Sequence, residues 1–346
     1  MNHVKIDQEF MLHFMENLIN IPSPVGYYVK VSKFMVDSLT QLGYEPWVDN
    51  KGNIYVRVAG QNKEKTVGIV AHLDTLGLMV RKINADGSLK IVDIGGINYH
   101  SIEGESVVIH TRDNGEYTGV VCCNSHSLHV FKDAATLERT SENMHIMIDE
   151  KVSCAEDVQK LGIRVGDHIS VNPRFTVTKS GFIKSRFIDD KGGVAAVVAT
   201  LKALKDHNLV PSNNVVFMFS QYEEVGYGGA SVPDGMEELV AVDIASVGPD
   251  NAGTEFDVSI CTKDAITVYD VPLVDKLVKL AQEHHLGFQT DICTGGGTDA
   301  SQAVRAGNNL RVAAIGLGTY SSHAMERTHV EAMENTSKLL LAYCCG

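Results

Sequence analysis

Apolar positions along the chain recur with two different periods, and the change between them divides the sequence. Phe10, Phe14 and Leu18, with Met11, Met15 and Ile19 beside them, repeat at helical spacing. A second amphipathic segment follows "SPVG" from about Tyr27 to Leu42. Residues 66–74, "TVGIVAHLD", form a short continuous apolar run of the kind that parallel strands buried on both faces show. Val194, Val197, Leu201 and Leu204 predict a helix over about 191–205, followed by strands at 215–220 and 239–247 and a helix after Pro272. Strands alternating with helices predict an α/β fold with a mostly parallel, mixed sheet flanked by helices.

Between these segments the helical period disappears. "VRKINADGSLKIVD" and "VVIHTRDNGEYTGVV" are β segments folded at Asp86-Gly87 and Asn114-Gly115, which are hairpin turn signals, and "GDHISVNPRFTVTKSGFIKSRF" continues in the same style. The pattern predicts a β-rich module over 76–178 inserted in an α/β domain formed by 1–75 and 179–346. No internal repeat or low-complexity tract interrupts it.

Composition narrows the function classes. A chain of 346 residues, 44% hydrophobic and 21% charged, has room for one large domain and a smaller one. A net charge of -13 without a long basic run argues against nucleic-acid binding and gives no attraction to an anionic membrane. No apolar run is long enough to span a bilayer, and Met1 to Glu9 lack the shape of a signal peptide, so the expected location is the cytoplasm. Seven cysteines (Cys122, Cys123, Cys154, Cys261, Cys293, Cys344, Cys345) without C-x-x-C spacing predict reduced thiols and no zinc ribbon.

Parallel α/β sheets bind ligands at the carboxyl ends of their strands. His72 and Asp74 follow the run that begins at Thr66, Glu223 and Glu224 follow the strand at 215–220, and Asp243 sits in 239–247. Asp189 and Asp190 precede the helix at 191, and His323 follows "VAAIGLGTYSS". Singly, each has an ordinary explanation: a Glu-Glu pair in a solvated turn, an Asp-Asp pair capping a helix, a hydrogen-bonded buried histidine. Two histidines and several carboxylates from five separated segments are instead the ligand chemistry of zinc, cobalt or manganese. The set is large enough for two ions sharing one carboxylate.

"AHLDTLG", "FIDDKGG", "QYEEVGYGGA", "AVDIAS", "GGGTDA" and "SSHAMER", in this order, resemble the tetrahedral (dodecameric) aminopeptidases, dinuclear metallopeptidases that include glutamyl, leucyl and lysyl types, some bearing the name endoglucanase. The resemblance runs from the first helix to the last strand and implies a zinc-exopeptidase-like fold, with 76–178 as a dimerisation domain. It implies a metal-dependent aminopeptidase that removes N-terminal residues from short peptides with a two-metal-activated water. The implied metal ligands are His72, Asp189, Glu224, Asp243 and His323. Asp189 would bridge the ions, with His72 and Asp243 on one and Glu224 and His323 on the other. Glu223 would be the general base. The Asp74 carboxylate would accept the second N–H of His72. A cis Asp189-Asp190 peptide bond and a homo-oligomer, either a dimer or a closed dodecamer, are implied as well. Lys191, where many members carry arginine, and the missing arginine before His323 depart from the family pattern, as does "SPVGYY".

Two other functions fit parts of the pattern. A related dinuclear carboxypeptidase or N-acyl amino acid deacylase would share the metal set but usually carries an α+β lid where this chain has hairpins. A non-catalytic scaffold would have lost Glu223 or a ligand. His126 and His129 lack carboxylate partners and are expected to be ordinary residues of the β module. "GGGTDA" lacks the βαβ context of a dinucleotide fingerprint and is expected to be a close-approach loop beside the site.

Overall fold

The computed structural model describes residues 4–346. An eight-stranded sheet runs in the order Trp47–Val48, Ile54–Val58, Asn213–Ser220, Asn62–His72, Met236–Ser246, Arg311–Thr319, Val258–Lys263 and Phe288–Ile292. The four strands at its centre are mutually parallel. Their inner residues, such as Ile69, Phe217, Val240 and Ile315, are buried because helices cover both faces. Val258–Lys263 runs antiparallel to Arg311–Thr319, and Ile54–Val58 antiparallel to Asn213–Ser220, which makes the sheet mixed.

The helix Ile188–Asp206 lies on the central strands and carries Gln8–Ile19 and Val330–Cys345 against it. Almost every residue from Ile188 to Leu204 is buried, so this helix has no solvated stripe. Local chemistry sets the other helix starts. The Asp7 side chain accepts the Phe10 N–H ahead of Gln8–Ile19, and Asp270 accepts the Leu273 N–H ahead of Val271–Glu283, whose first turn holds Pro272.

Six antiparallel strands between Gly77 and Val171 close into a small barrel, in the order Gly77–Ile83, Leu89–Ile94, Met144–Ile148, Glu116–Cys123, Ser106–His110 and His168–Val171. It has its own core of Leu78, Val80, Ile91, Ile109, Ile146 and Ile169. Gly87 and Asn114, at the expected hairpin turns, take φ of 86° and 63°, the left-handed region such turns require. A three-stranded sheet, Thr176–Val177, Phe182–Ser185 and Glu326–His329, which the apolar pattern did not predict, joins the segment after the barrel to the C-terminal part. Among the described residues no helix is long and apolar enough to cross a membrane.

The cysteines depart from expectation: Cys261 and Cys293 are joined in a disulfide. They are 32 residues apart, and the parallel pairing of Val258–Lys263 with Phe288–Ile292 brings them together, a juxtaposition that spacing does not reveal. The remaining five are free thiols.

Candidate metal centre

Strand register assembles the site. Ser220 pairs with His72, so two parallel strands end together and the turn Gln221–Glu224 emerges beside the histidine. Asp243 lies opposite Gly316 on the next pair of strands. Asp189 and Asp190 open the covering helix, with a cis peptide bond between them. Phe187, Tyr222, Ser321 and His323 all have φ between 59° and 68°, so the backbone on three sides of the site adopts a conformation that side chains disfavour.

One donor atom from each of His72, Asp189 and Glu224 lies within 4.8 Å of the others. The two oxygens of Asp189 face opposite ways: Oδ1 is 3.1 Å from His72 Nε2, and Oδ2 is 3.6 Å from His323 Nε2. His323 Nε2 is also 3.6 Å from Glu224 Oε2. Asp243 lines the same cavity as Asp189, Glu223 and Glu224, outside the tight group of three, and its Oδ1 accepts the Ile244 N–H at 2.7 Å.

Both imidazoles are oriented by main-chain carbonyls. His72 Nδ1 lies 2.9 Å from the Asp74 carbonyl oxygen and His323 Nδ1 3.0 Å from that of Gly96. A carbonyl only accepts, so each Nδ1 carries the hydrogen and each Nε2 faces the cavity. This corrects the expectation for Asp74, whose carboxylate Oδ1 stands 3.8 Å from His72 Nδ1. That carboxylate is fully buried under the turn and accepts the N–H groups of Glu223 at 3.2 Å and Glu224 at 3.1 Å. It therefore shapes the Glu-Glu turn, while its backbone orients the histidine.

Burial dominates the electrostatics. It pushes the carboxyls of Glu223, Glu224, Asp243 and Asp190 well above the usual range, and neighbouring acids add to the effect. Asp189 goes the other way: burial raises it, but the hydrogen bond and charge of His72 and the charge of His323 outweigh that. Burial pulls His72 down, and the Asp189 hydrogen bond with the charges of Asp74, Glu223 and Asp190 holds it well above its ordinary value. Glu224 Oε1, Asp190 Oδ1 and Asp299 Oδ1 are buried without a hydrogen-bond partner. Buried carboxylates in this excess, with orphaned oxygens and imidazole Nε2 atoms aimed among them, fit divalent cations of the zinc, cobalt or manganese type.

Comparison with known proteins places this geometry. The profile of the M42 glutamyl aminopeptidase family matches residues 52–339. The chain belongs to the M42 family. It is 40% identical to the putative aminopeptidase YhfE of Bacillus subtilis over 96% of both chains. It is 27% identical to the glutamyl aminopeptidase of Lactococcus lactis over 62% of this chain and 60% of that one. Solved structures agree in fold: TET1 peptidase of Pyrococcus horikoshii superposes with a TM-score of 0.85 at 24% identity, covering 97% of this chain and 99% of that one. An aminopeptidase of Desulfurococcus kamchatkensis gives 0.87 at 22%, covering 97% and 95%. M42 membership makes this chain a metal-dependent peptide hydrolase of the aminopeptidase type.

Several residues around this M42 site escaped the sequence reading. Gln302 Nε2 donates to Glu223 Oε1 at 2.6 Å. Glu326 accepts the His323 N–H through Oε1 and the Asp189 N–H through Oε2, both at 3.1 Å. It stands three residues after His323 in "SSHAMER", where a second acid beside a ligand was the available signal. Asp299 of "GGGTDA" accepts the Ser220 hydroxyl, and burial raises its pKa to about 6. Lys191 is buried away from the donors, and its Nζ donates to the carbonyls of Leu18 at 3.0 Å and Ile21 at 2.7 Å. It thereby ties the exit of the first helix to the start of the covering helix.

Proposed function

We propose that this M42 peptidase releases N-terminal residues from short peptides at a two-metal centre with Glu223 as general base. The observation that carries the reading is the position of Asp189 between two imidazoles, one oxygen towards His72 and the other towards His323, with Glu224 alongside. In this reading His72 and Asp243 would hold one ion, Glu224 and His323 the other, with Asp189 able to serve both. When bound, the ions polarise the scissile carbonyl and lower the pKa of the attacking water.

Glu223 does the proton chemistry. Gln302 ties down its Oε1, leaving Oε2 on the cavity side 3.9 Å from His72 Nε2. As water oxygen bonds to the carbonyl carbon, Glu223 takes the proton, and it returns that proton to the nitrogen as the C–N bond breaks. The acidic lining attracts the α-ammonium of a free peptide terminus, which favours exopeptidase action. A closed barrel in place of an α+β lid also favours an aminopeptidase over a carboxypeptidase or deacylase. A cytoplasmic location and a homo-oligomer built through the barrel belong to the same proposal; the Pyrococcus horikoshii TET1 peptidase is described as assembling into a tetrahedron or a large octahedral shell. Domain limits of 1–75 with 179–346, and 76–178, are part of it too.

The test is Glu223→Gln, which removes the base and keeps the shape. The expected result is a kcat lower by about 10³-fold with metal content unchanged, since positioned acid–base catalysis contributes on the order of 10² to 10⁴. Activity within a few fold of wild type would refute the role of Glu223. Hydrolysis confined to N-acetylated substrates would refute the aminopeptidase.

A further inference from the structure

The cavity that contains the acidic cluster extends well beyond it. Its volume is about 660 Å³, within the range of small-molecule sites. One end is Asp189, Glu223, Glu224, Asp243 and His323. Away from that end the walls are Ile244, Ile266, Ile292, Ile315 and the Cys261–Cys293 disulfide, with the polar side chains of Ser246, Asn251, Thr294 and Thr298 among them. Gly295, Gly296 and Gly297 line the same stretch without side chains and leave it open. Ile266 and Ile292 are 38% and 53% exposed, so two large apolar side chains stand uncovered in the cavity that also holds the reactive cluster.

Charge is what the extension lacks. Among the described residues lining it there is no lysine or arginine. Its single charged group outside the acidic end is Asp264, which is fully buried. Asp264 Oδ1 accepts the N–H groups of Ile266 at 2.8 Å and Thr267 at 2.7 Å, and Oδ2 accepts the Tyr269 hydroxyl at 2.7 Å. Its carboxylate is committed to holding the loop that presents Ile266. The adjacent Lys263 is not among the lining residues, and its Nζ donates to the Asp264 carbonyl at 2.6 Å.

We infer that the extension receives the side chain of the departing N-terminal residue and selects a neutral aliphatic one, leucine, isoleucine, methionine or valine, over acidic and basic ones. This inference rests on the aminopeptidase reading and names its substrate class. An acidic side chain would lie in the cavity with no cation to offset its desolvation. A basic one would meet a carboxylate whose oxygens already accept three hydrogen bonds. An aliphatic one covers the isoleucines and calls for no counter-charge.

The experiment uses the full chain reconstituted with zinc or cobalt and a panel of tripeptides X-Ala-Ala, with X as Leu, Ile, Met, Val, Glu, Lys or Arg. The inference expects kcat/KM for Leu or Met to exceed that for Glu, Lys and Arg by at least about tenfold. Equal or greater kcat/KM for Glu, Lys or Arg overturns it while leaving the aminopeptidase reading intact. Silence across the panel with metal bound overturns both. Ile292→Lys, a change at an exposed position, is expected to move the Glu-to-Leu ratio of kcat/KM towards Glu by at least about tenfold. An unchanged ratio in a folded, metal-loaded variant would take Ile292 out of the side-chain pocket.

Discussion

The interior of the barrel is made of Leu78, Val80, Ile91, Ile109, Ile146 and Ile169, while the space at the carboxyl end of the large sheet is enclosed by Asp74, Asp189, Asp190, Glu223, Glu224, Asp243, Asp299 and Glu326. The first is shut off from water, the second only in part. The first is stabilised by its own burial. The second gathers eight carboxyls, most of them buried, around His72 and His323, and three of their oxygens lack partners. Burying unpaired charge costs several kcal/mol per ion unless counter-charges are supplied. The difference teaches that one part of the molecule is complete as a chain, whereas the other is complete only with cations.

The sharpest way to break that comparison is to take the cations away. Removing metal with a chelator is expected to destabilise the protein by about 4 kcal/mol for each site that was held with metal at about 1,000 times its Kd. Calorimetry with and without chelator, with metal content measured in parallel, checks it. A melting temperature unmoved by verified metal removal would mean that the acids stabilise one another without ions.

The converse change lies in the barrel. Ile109→Ala, at a fully buried position of the barrel core, is expected to cost about 3 kcal/mol, the ordinary cost of truncating a buried isoleucine. Because Ile109 belongs to the barrel core, paired with Tyr117 and Ile169, kcat/KM at a temperature where the variant is folded should stay within about twofold. Denaturant unfolding and steady-state kinetics on one preparation separate the two effects. A large loss of kcat/KM would show that the barrel core and the site form one unit, as the Gly96 carbonyl on His323 makes conceivable.

Much of this contrast was legible beforehand, for reasons particular residues make plain. Apolar runs at 66–74 and 215–220 revealed the central strands, and the carboxyl-end rule then pointed to His72, Glu223 and Glu224 without a structure. Asp86-Gly87 and Asn114-Gly115 revealed the hairpins because those turns demand left-handed backbone. What escaped depends on contacts that leave no periodic trace. Whether His72 meets the carboxylate or the carbonyl of Asp74 is decided by a rotation within two residues. Gln302 is a neutral amide in a short helix, Gly96 acts through its backbone alone, and Cys261 meets Cys293 only because the edge strand Phe288–Ile292 pairs in parallel with Val258–Lys263. The strand Asn62–His72 begins before its apolar run because Asn62 pairs with Asn213, and Trp47–Val48 and Ile54–Val58 ahead of it were not predicted.

A smaller effect sharpens the comparison at the joint between the two regions. His110, at the end of a barrel strand, stacks on Tyr27 with ring centroids 4.6 Å apart, and its Nε2 meets the Ser170 hydroxyl at 2.8 Å. Burial lowers its pKa to about 4; Glu116, 3.5 Å from Nδ1, opposes that, while Lys30 and His168 add to it. The unfolded value is about 6.5. Between the two, the unfolded chain binds a proton that the folded chain refuses, so stability falls as pH drops from about 7 through 4. The loss expected from this one group is on the order of 2 kcal/mol, less than the full shift because Glu116 can accompany the proton. Burial also raises acids at the metal site, Asp299 to about 6, so the measurement is a difference: chemical unfolding of wild type and His110→Asn at pH 7 and pH 4.5. The wild type should lose more stability than the variant by that amount. Equal losses would assign the acid sensitivity to the carboxylate end of the sheet alone and leave the barrel joint indifferent to pH.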